Sequence, residues 1–337
     1  MRSNLGCLLL FTIFGCRADR PPGTSTWRDS SPHTLRMVTI APGMSLEVLD
    51  WGGRGQALVL LAGLGNTAHV FDDLAPSLTD TFHVYGITRR GFGRSSQPPA
   101  SDVATLVSDI HIVLDSLHLS KVILVGHSIA GEELTSFAGS HPERCEALVY
   151  LDAAYDRSGR SELAKSLRRM RWPRRPAMTA ADSASPAALE AYLQRTGDVR
   201  HPEADLRATT RFDSTHRYEG DLTPDSLALL VTRHLSPPAY QHIKCRSLAI
   251  YAVPDSAGAL IPWYAQLDSI GRADAKRYFP VSQAWQRAAM RQYEHNAPLA
   301  QIVEIHNANH YLFLSHRAQT LSALRTFLAA TRRTATP

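Results

Sequence analysis

At 337 residues the chain holds one large domain or two small ones, and 44% hydrophobic residues is enough material for a real core. Charged residues make up 20% and the formal charge is +5, a mildly basic globular balance; the excess is too small to argue for nucleic acid, and no basic stripe interleaved with aromatics is present. No internal repeat or low-complexity tract interrupts the expected folded part.

Met1 to Asn4 is a short cationic start, and Leu5 to Phe14 is apolar apart from Gly6, Cys7 and Thr12. That run is too short to span a bilayer and reads, over 1–16, as an export signal. Ile13-Phe14-Gly15-Cys16 looks like a bacterial lipoprotein cleavage site, in which Cys16 becomes the lipidated first residue. The expected location is therefore the cell envelope or the exterior, with membrane contact only through that lipid. Residues 17–34 are rich in Pro, Ser and Arg without periodicity and are expected to form a flexible tether.

Strand patterns begin at Leu35. Leu35–Ile40 and Ser45–Trp51 flank the turn Ala41-Pro42-Gly43, so a hairpin opens the sheet. Ala57–Ala62 is a continuous apolar run, as a strand buried on both faces requires, followed by Gly63-Leu64-Gly65 and an expected helix. Phe82–Ile87 is the next strand. A helix then presents Val103, Leu106, Val107, Ile110, Val113, Leu114 and Leu117 at three-and-four spacing, capped by Ser101 or Asp102. Further strands are expected at Lys121–Val125, Ala147–Asp152, Ser247–Val253 and Gln301–Ile305, with helices at about 271–296 and from Ser315 onward. Between Asp152 and Ser247 lie about ninety residues of helical composition with no strand pattern, far longer than an ordinary crossover. The reading is an α/β fold with a mostly parallel sheet, divided into a first core part (35–152), an inserted helical cap (153–244) and a second core part (245–337).

In such a sheet reactive residues belong at the carboxyl ends of the strands. Ser128 follows one strand on a sharp turn into a helix, whose N-terminal N–H groups favour an oxyanion. Asp255 follows another strand, and Asn307-Ala308-Asn309-His310 follows the last. A serine needs a base to take its proton, and that base needs a carboxylate to hold its tautomer.

Gly126-His127-Ser128-Ile129-Ala130-Gly131 resembles the nucleophile elbow of the α/β-hydrolase superfamily, G-x-S-x-G, with Ala130 standing where the second glycine is usual. Arg90-Gly91-Phe92-Gly93-Arg94-Ser95 resembles that family's R-G-x-G-x-S loop. The resemblance spans about residues 35 to 331 and implies an eight-stranded sheet with Ser128 as nucleophile, His310 as base and Asp255 as the orienting carboxylate, in the family's chain order. Asp152 is the alternative acid, because some members place it after that earlier strand. His306 is the rival of His310, and its spacing from His310 has neither the helix nor the third ligand that a metal site requires. The oxyanion hole would use the backbone N–H groups of Ile129 and Leu64, the latter in a loop where the family usually carries His-Gly.

The resemblance implies no cofactor and no metal. Its expected activity is hydrolysis of a carboxylic ester, with carbon–carbon bond hydrolysis, amide or iminopeptide cleavage and haloperoxidase-like chemistry as alternatives set by the cap. A non-catalytic binding protein on the same fold is the alternative from another class. The expected partner is a small molecule. Arginines between Arg157 and Pro176 either form a solvated helix face or attract an anionic substrate. Cys145 and Cys245 each lie just ahead of a strand; the family's sheet makes those strands parallel neighbours, so a disulfide and two free thiols are both open.

Overall fold

A computed structural model describes residues 27–97, 102–197, 199–233 and 235–334. The expected export signal, Cys16 and residues 17–26 of the tether lie outside the described residues. The chain opens with β1 (Thr34–Ala41) and β2 (Met44–Gly52), then β3 (Ala57–Leu61), β4 (His83–Ile87), α1 (Val103–Ser116), β5 (Val122–His127), α2 (Ala130–Ser140) and β6 (Cys145–Leu151). An insert follows with α3 (Glu162–Arg169), α4 (Pro186–Gly197), α5 (Glu203–Thr209), β7 (Thr210–Phe212), β8 (Tyr218–Asp221) and α6 (Asp225–Thr232). The core resumes with β9 (Arg246–Val253), α7 (Ala257–Leu260), α8 (Ser269–Asn296), β10 (Ala300–His306), α9 (Leu312–Ser315) and α10 (Arg317–Thr334).

Eight strands form one sheet in the order β1-β2-β4-β3-β5-β6-β9-β10. The hairpin β1–β2 is antiparallel and β2 meets β4 antiparallel; from β4 to β10 every pairing is parallel. The central strands read as unbroken apolar runs because both faces are covered. Val59, Leu61 and Leu124 face α1, α2 and α8 with Ile110, Leu134 and Met290. Leu58, Leu60, Ile123 and Val125 face the other way, onto Phe71, Leu74, Leu324 and Leu328. Each such side chain, taken fully from water, contributes about 1.5–3 kcal/mol. That double packing holds the strand ends, and the turns that leave them, in fixed positions. Asp102 caps α1, its carboxylate accepting from the Thr105 N–H at 2.8 Å.

Four expectations need correction or closer definition. The segment after β3 forms two short 3-10 turns, Ala68–Phe71 and Ala75–Leu78, in place of an α-helix. From Asn66 to Leu74 almost every side chain is buried, so there is no polar face for an amphipathic helix to show, and Pro76, at the start of the second turn, has no N–H to extend an α-helix from the first. The insert is not wholly helical: β7 and β8 form a small antiparallel pair. Strands of three and four residues carry too little alternation to read from sequence. The end of the tether is part of the fold, with Trp27 under the Arg207 guanidinium at 4.7 Å and His33 bonded to Asp72 at 2.9 Å. Finally, Cys145 and Cys245 are free thiols within hydrogen-bonding reach of each other, an arrangement that raises the Cys145 thiol and lowers that of Cys245.

Candidate active site

The β5–α2 turn places Ser128 in the left-handed region at φ 54°. Such a conformation is costly for a non-glycine residue and is held here by its surroundings. The Ser128 N–H donates to the Leu151 carbonyl at 3.2 Å, and the Ser128 carbonyl accepts from Gly131 N–H at 3.1 Å. Two glycines permit this closeness. A Cβ on Gly126 would lie 2.6 Å from Leu134 Cδ1 and 3.0 Å from the Ala130 Cβ, so the small residue at 130 is accommodated by the glycine four positions before it. A Cβ on Gly131 would lie 2.2 Å from the Ala153 carbonyl oxygen. The departure from G-x-S-x-G therefore keeps its glycine where α2 meets backbone, one residue later than usual.

His310 donates from Nδ1 to Asp152 Oδ2 at 2.6 Å. Asp152 is buried, sits at φ 46° directly after β6, and also accepts from the Tyr155 hydroxyl at 2.5 Å and the Ala252 N–H at 3.2 Å. This corrects the assignment of Asp255 as the acid. Asp255 is half exposed, and its carboxylate accepts from His306 Nδ1 at 2.7 Å and Asn307 Nδ2 at 2.9 Å. The sheet register explains the exchange. In β10, His306 lies beside Val253 of β9, so it meets Asp255 at the sheet edge, while His310, four residues on, reaches back over β9 to the end of β6.

The loop after β3 lacks the family's histidine and is braced by other side chains. Arg89, in an ion pair with Glu133, donates to the Ala62 carbonyl at 3.0 Å. From the insert, buried Asp205 accepts from the Thr67 N–H at 2.8 Å, the Thr67 hydroxyl at 2.7 Å and Asn66 Nδ2 at 2.8 Å. Tyr311, next to His310, donates its hydroxyl to Asn66 Oδ1 at 2.9 Å. Leu64 and Ile129 pack in one apolar cluster with Leu106 and Val231, and neither N–H has an acceptor among the described residues. Burial raises the Asp205 carboxyl despite its donors and neighbouring His201, and burial likewise raises that of Glu133 against the pull of Arg89.

A cavity of about 870 Å³ joins Ser128, Asp152, His310, Leu64 and the insert. Arg157 and Arg175 line it, whereas Arg168 and Arg169, on α3, do not; Arg168 lies over Gly159. Arg157 donates to the Ala153 carbonyl at 2.8 Å, and Arg175 stacks over Trp263 at 5.4 Å. His127, overlooked as the variable residue of the elbow, donates from Nε2 to the His310 carbonyl at 3.1 Å and lies ring to ring with it at 4.6 Å. Burial, then the neighbouring His310, holds its pKa well below the ordinary histidine value. Sequence reasoning also missed Asp205, Arg89 and Tyr155. Only Arg89 carried a signal, since it precedes the R-G-x-G-x-S loop by one residue.

A serine on a strained strand-to-helix turn, facing one cavity with a histidine held by a buried aspartate, defines an α/β fold organised around a nucleophile elbow. Residues 56–203 match the family model described as alpha/beta hydrolase fold. The chain is similar to an sn-1-specific diacylglycerol lipase of Danio rerio, 28% identical over 197 residues that cover 58% of this chain and 51% of that one. It spans about half or less of the length of the curated relatives it matches. Among solved structures, an E-2-(acetamidomethylene)succinate hydrolase aligns with TM-score 0.62 at 19% identity, covering 88% of this chain and 99% of that one. A carboxylesterase from Bacillus subtilis aligns with TM-score 0.56 at 16% identity, covering 88% and 92%. Likeness at such identities concerns the fold. Over residues 56–203 the chain matches the α/β-hydrolase family model, and its sheet and flanking helices have the α/β-hydrolase fold.

Proposed function

We propose that this protein is a serine hydrolase acting on carboxylic esters through an acyl-enzyme on Ser128. The observation that carries the reading is the 2.6 Å bond from His310 Nδ1–H to buried Asp152, on the same cavity as Ser128. That bond fixes the tautomer that leaves Nε2 as the base. His310 then takes the Ser128 proton as the oxygen attacks the ester carbon, the N–H groups of Leu64 and Ile129 hold the oxyanion, and the proton passes to the leaving alcohol. Water, deprotonated by the same imidazole, releases the acid. Asp152 stabilises the imidazolium, and its other donors, the Tyr155 hydroxyl and the Ala252 N–H, hold the carboxylate in place for that task.

The insert serves as the cap that selects the substrate. Arg157 and Arg175 on the cavity wall favour a substrate that carries a negative charge away from the ester. Competition by small dicarboxylates, lost in Arg175→Ala and weakened by salt, tests this; indifference to both rejects it. The cationic start, the apolar run to Phe14 and Cys16 support export with Cys16 lipidated. Mass measurement of the mature N-terminus checks that reading. Among the described residues no helix is long and apolar enough to cross a membrane. The decisive experiment is a series of activated esters of increasing acyl length on wild type and Ser128→Ala, with mass detection of the acylated serine. Turnover of none of them by the wild type would replace the enzyme with a binding protein on the same fold.

A further inference from the structure

We propose that Asp29, His33, His69 and Asp72 form a binding site for one divalent transition-metal ion of the zinc type, tying the N-terminal segment to the turn after β3. One ligand atom from each of the four lies within 4.8 Å of the others. His33 Nε2 is 3.4 Å from Asp29 Oδ2, Asp29 Oδ2 is 3.5 Å from His69 Nδ1, and His69 Nδ1 is 3.2 Å from Asp72 Oδ2. A tetrahedral ion with bonds of about 2.0–2.15 Å sets its ligands about 3.3–3.5 Å apart, close to these three separations, and the other three lie within 4.8 Å.

The surrounding bonds orient the ligand atoms. His33 donates from Nδ1 to Asp72 Oδ1 at 2.9 Å, which leaves Nε2 with its lone pair toward Asp29. Trp51 Nε1 donates to the same Asp72 oxygen at 3.1 Å, so Oδ2 is the one turned to the cluster. The Ser31 N–H donates to Asp29 Oδ1 at 2.9 Å, again leaving Oδ2. His69 Nε2 faces Glu47 Oε1 at 3.9 Å. His33 thus has a hydrogen-bonded carboxylate at its far nitrogen, the arrangement that holds a metal-bound histidine in place, and the Glu47 carboxylate lies near the far nitrogen of His69.

Charge points the same way. Asp29, Asp72 and fully buried Glu47 form no ion pair with Lys or Arg among the described residues, and Glu47 Oε2 has no hydrogen-bond partner there. Imidazole and carboxylate donors together suit zinc and its neighbours better than calcium or magnesium. None of the four ligands lines the Ser128 cavity, so the site is structural. No sequence motif marks it, because its ligands come in two pairs 36 residues or more apart.

The test is titration of the chelator-treated full chain with Co²⁺, followed by Zn²⁺ competition and thermal melts. One equivalent of Co²⁺ per chain should give the visible absorption of a four-coordinate ion, Zn²⁺ should abolish it, and Zn²⁺ should raise the melting temperature in proportion to the logarithm of its concentration. His69→Ala and Asp29→Asn should weaken affinity by more than about 100-fold, while His306→Ala and His310→Ala leave it unchanged. Circular dichroism establishes that each variant folds; Asp29, on the rim, carries the test if His69→Ala does not. Absence of stoichiometric Co²⁺ binding to the wild type, or full binding by folded Asp29→Asn, overturns the proposal.

Discussion

Two histidine–aspartate pairs sit at the carboxyl edge of the sheet, four residues apart in their histidines and almost equal in bond length. His306 meets Asp255 at 2.7 Å and His310 meets Asp152 at 2.6 Å. Their surroundings differ. The side chains of the first pair are 57% and 50% exposed, whereas Asp152 is 9% exposed and carries two further donors. In water a pair of this kind contributes little, because solvent competes for both partners. Away from water the same carboxylate has fixed donors, and the histidine it holds is oriented toward the cavity that contains Ser128. Geometry alone does not distinguish the pairs; desolvation and position do.

The largest expected effect breaks the inner pair. His310→Ala should lower kcat on an activated ester by about 10⁶-fold and Asp152→Asn by about 10⁴-fold. His306→Ala and Asp255→Asn should each change it by less than about twofold, as surface substitutions do. Steady-state kinetics on all four decides, and the reverse ranking would return the acid to Asp255.

A third aspartate sharpens the contrast. Asp205 is buried and holds Asn66 and Thr67 beside the Leu64 N–H. Asp205→Ala should lower kcat by about 10²-fold, the scale of a lost oxyanion donor, and cost about 1–3 kcal/mol of stability in denaturant melts. Replacing residues 157–240 with a short linker removes the same brace, so that variant should lose attack even on small esters and not merely change its acyl preference. Retained turnover would mean that the loop stands without the insert.

Smaller effects follow. Tyr155→Phe deletes one donor to Asp152 and should lower kcat by about tenfold with KM little changed, an effect within the range of a hydrogen bond to a charged group. The hydrogen bond and charge of Asp255 raise the His306 pKa above the ordinary value. The outer pair therefore stabilises the fold below the ordinary histidine pKa, and that contribution fades as pH rises through the raised one. Asp255→Asn should lower the His306 midpoint in an NMR titration while the melting temperature hardly moves. Least of all, thiol titration of the unfolded, unreduced domain should count Cys145 and Cys245 as free.

Strands buried on both faces were legible because Ala57–Ala62 and Val122–Val125 are too apolar and too short for anything else, and Ser128 was legible from its glycine neighbours. The acid was not. Both Asp152 and Asp255 follow strands, and only the register of β10 against β9 decides which one His310 reaches. The braces were invisible for a related reason: Asp205 lies 138 residues from Thr67, and nothing local marks a carboxylate that acts at that distance. Trp27, Asp29 and His33 read as tether because their composition is that of a linker, and what holds them is a set of partners elsewhere in the chain.

In the proposed triad the acid follows β6, so the turn leaving β9 takes no part in the proposed chemistry. Pro254, Ala259, Leu260 and Trp263, which follow that turn, form part of the cavity wall instead. Nucleophile and acid meanwhile share adjacent strands, tied by the Ser128 N–H to the Leu151 carbonyl and by Gly131 against Ala153. On that reading, selectivity can be rewritten in the stretch from Pro254 to Trp263, by mutation or by natural drift, without disturbing the proposed catalytic groups.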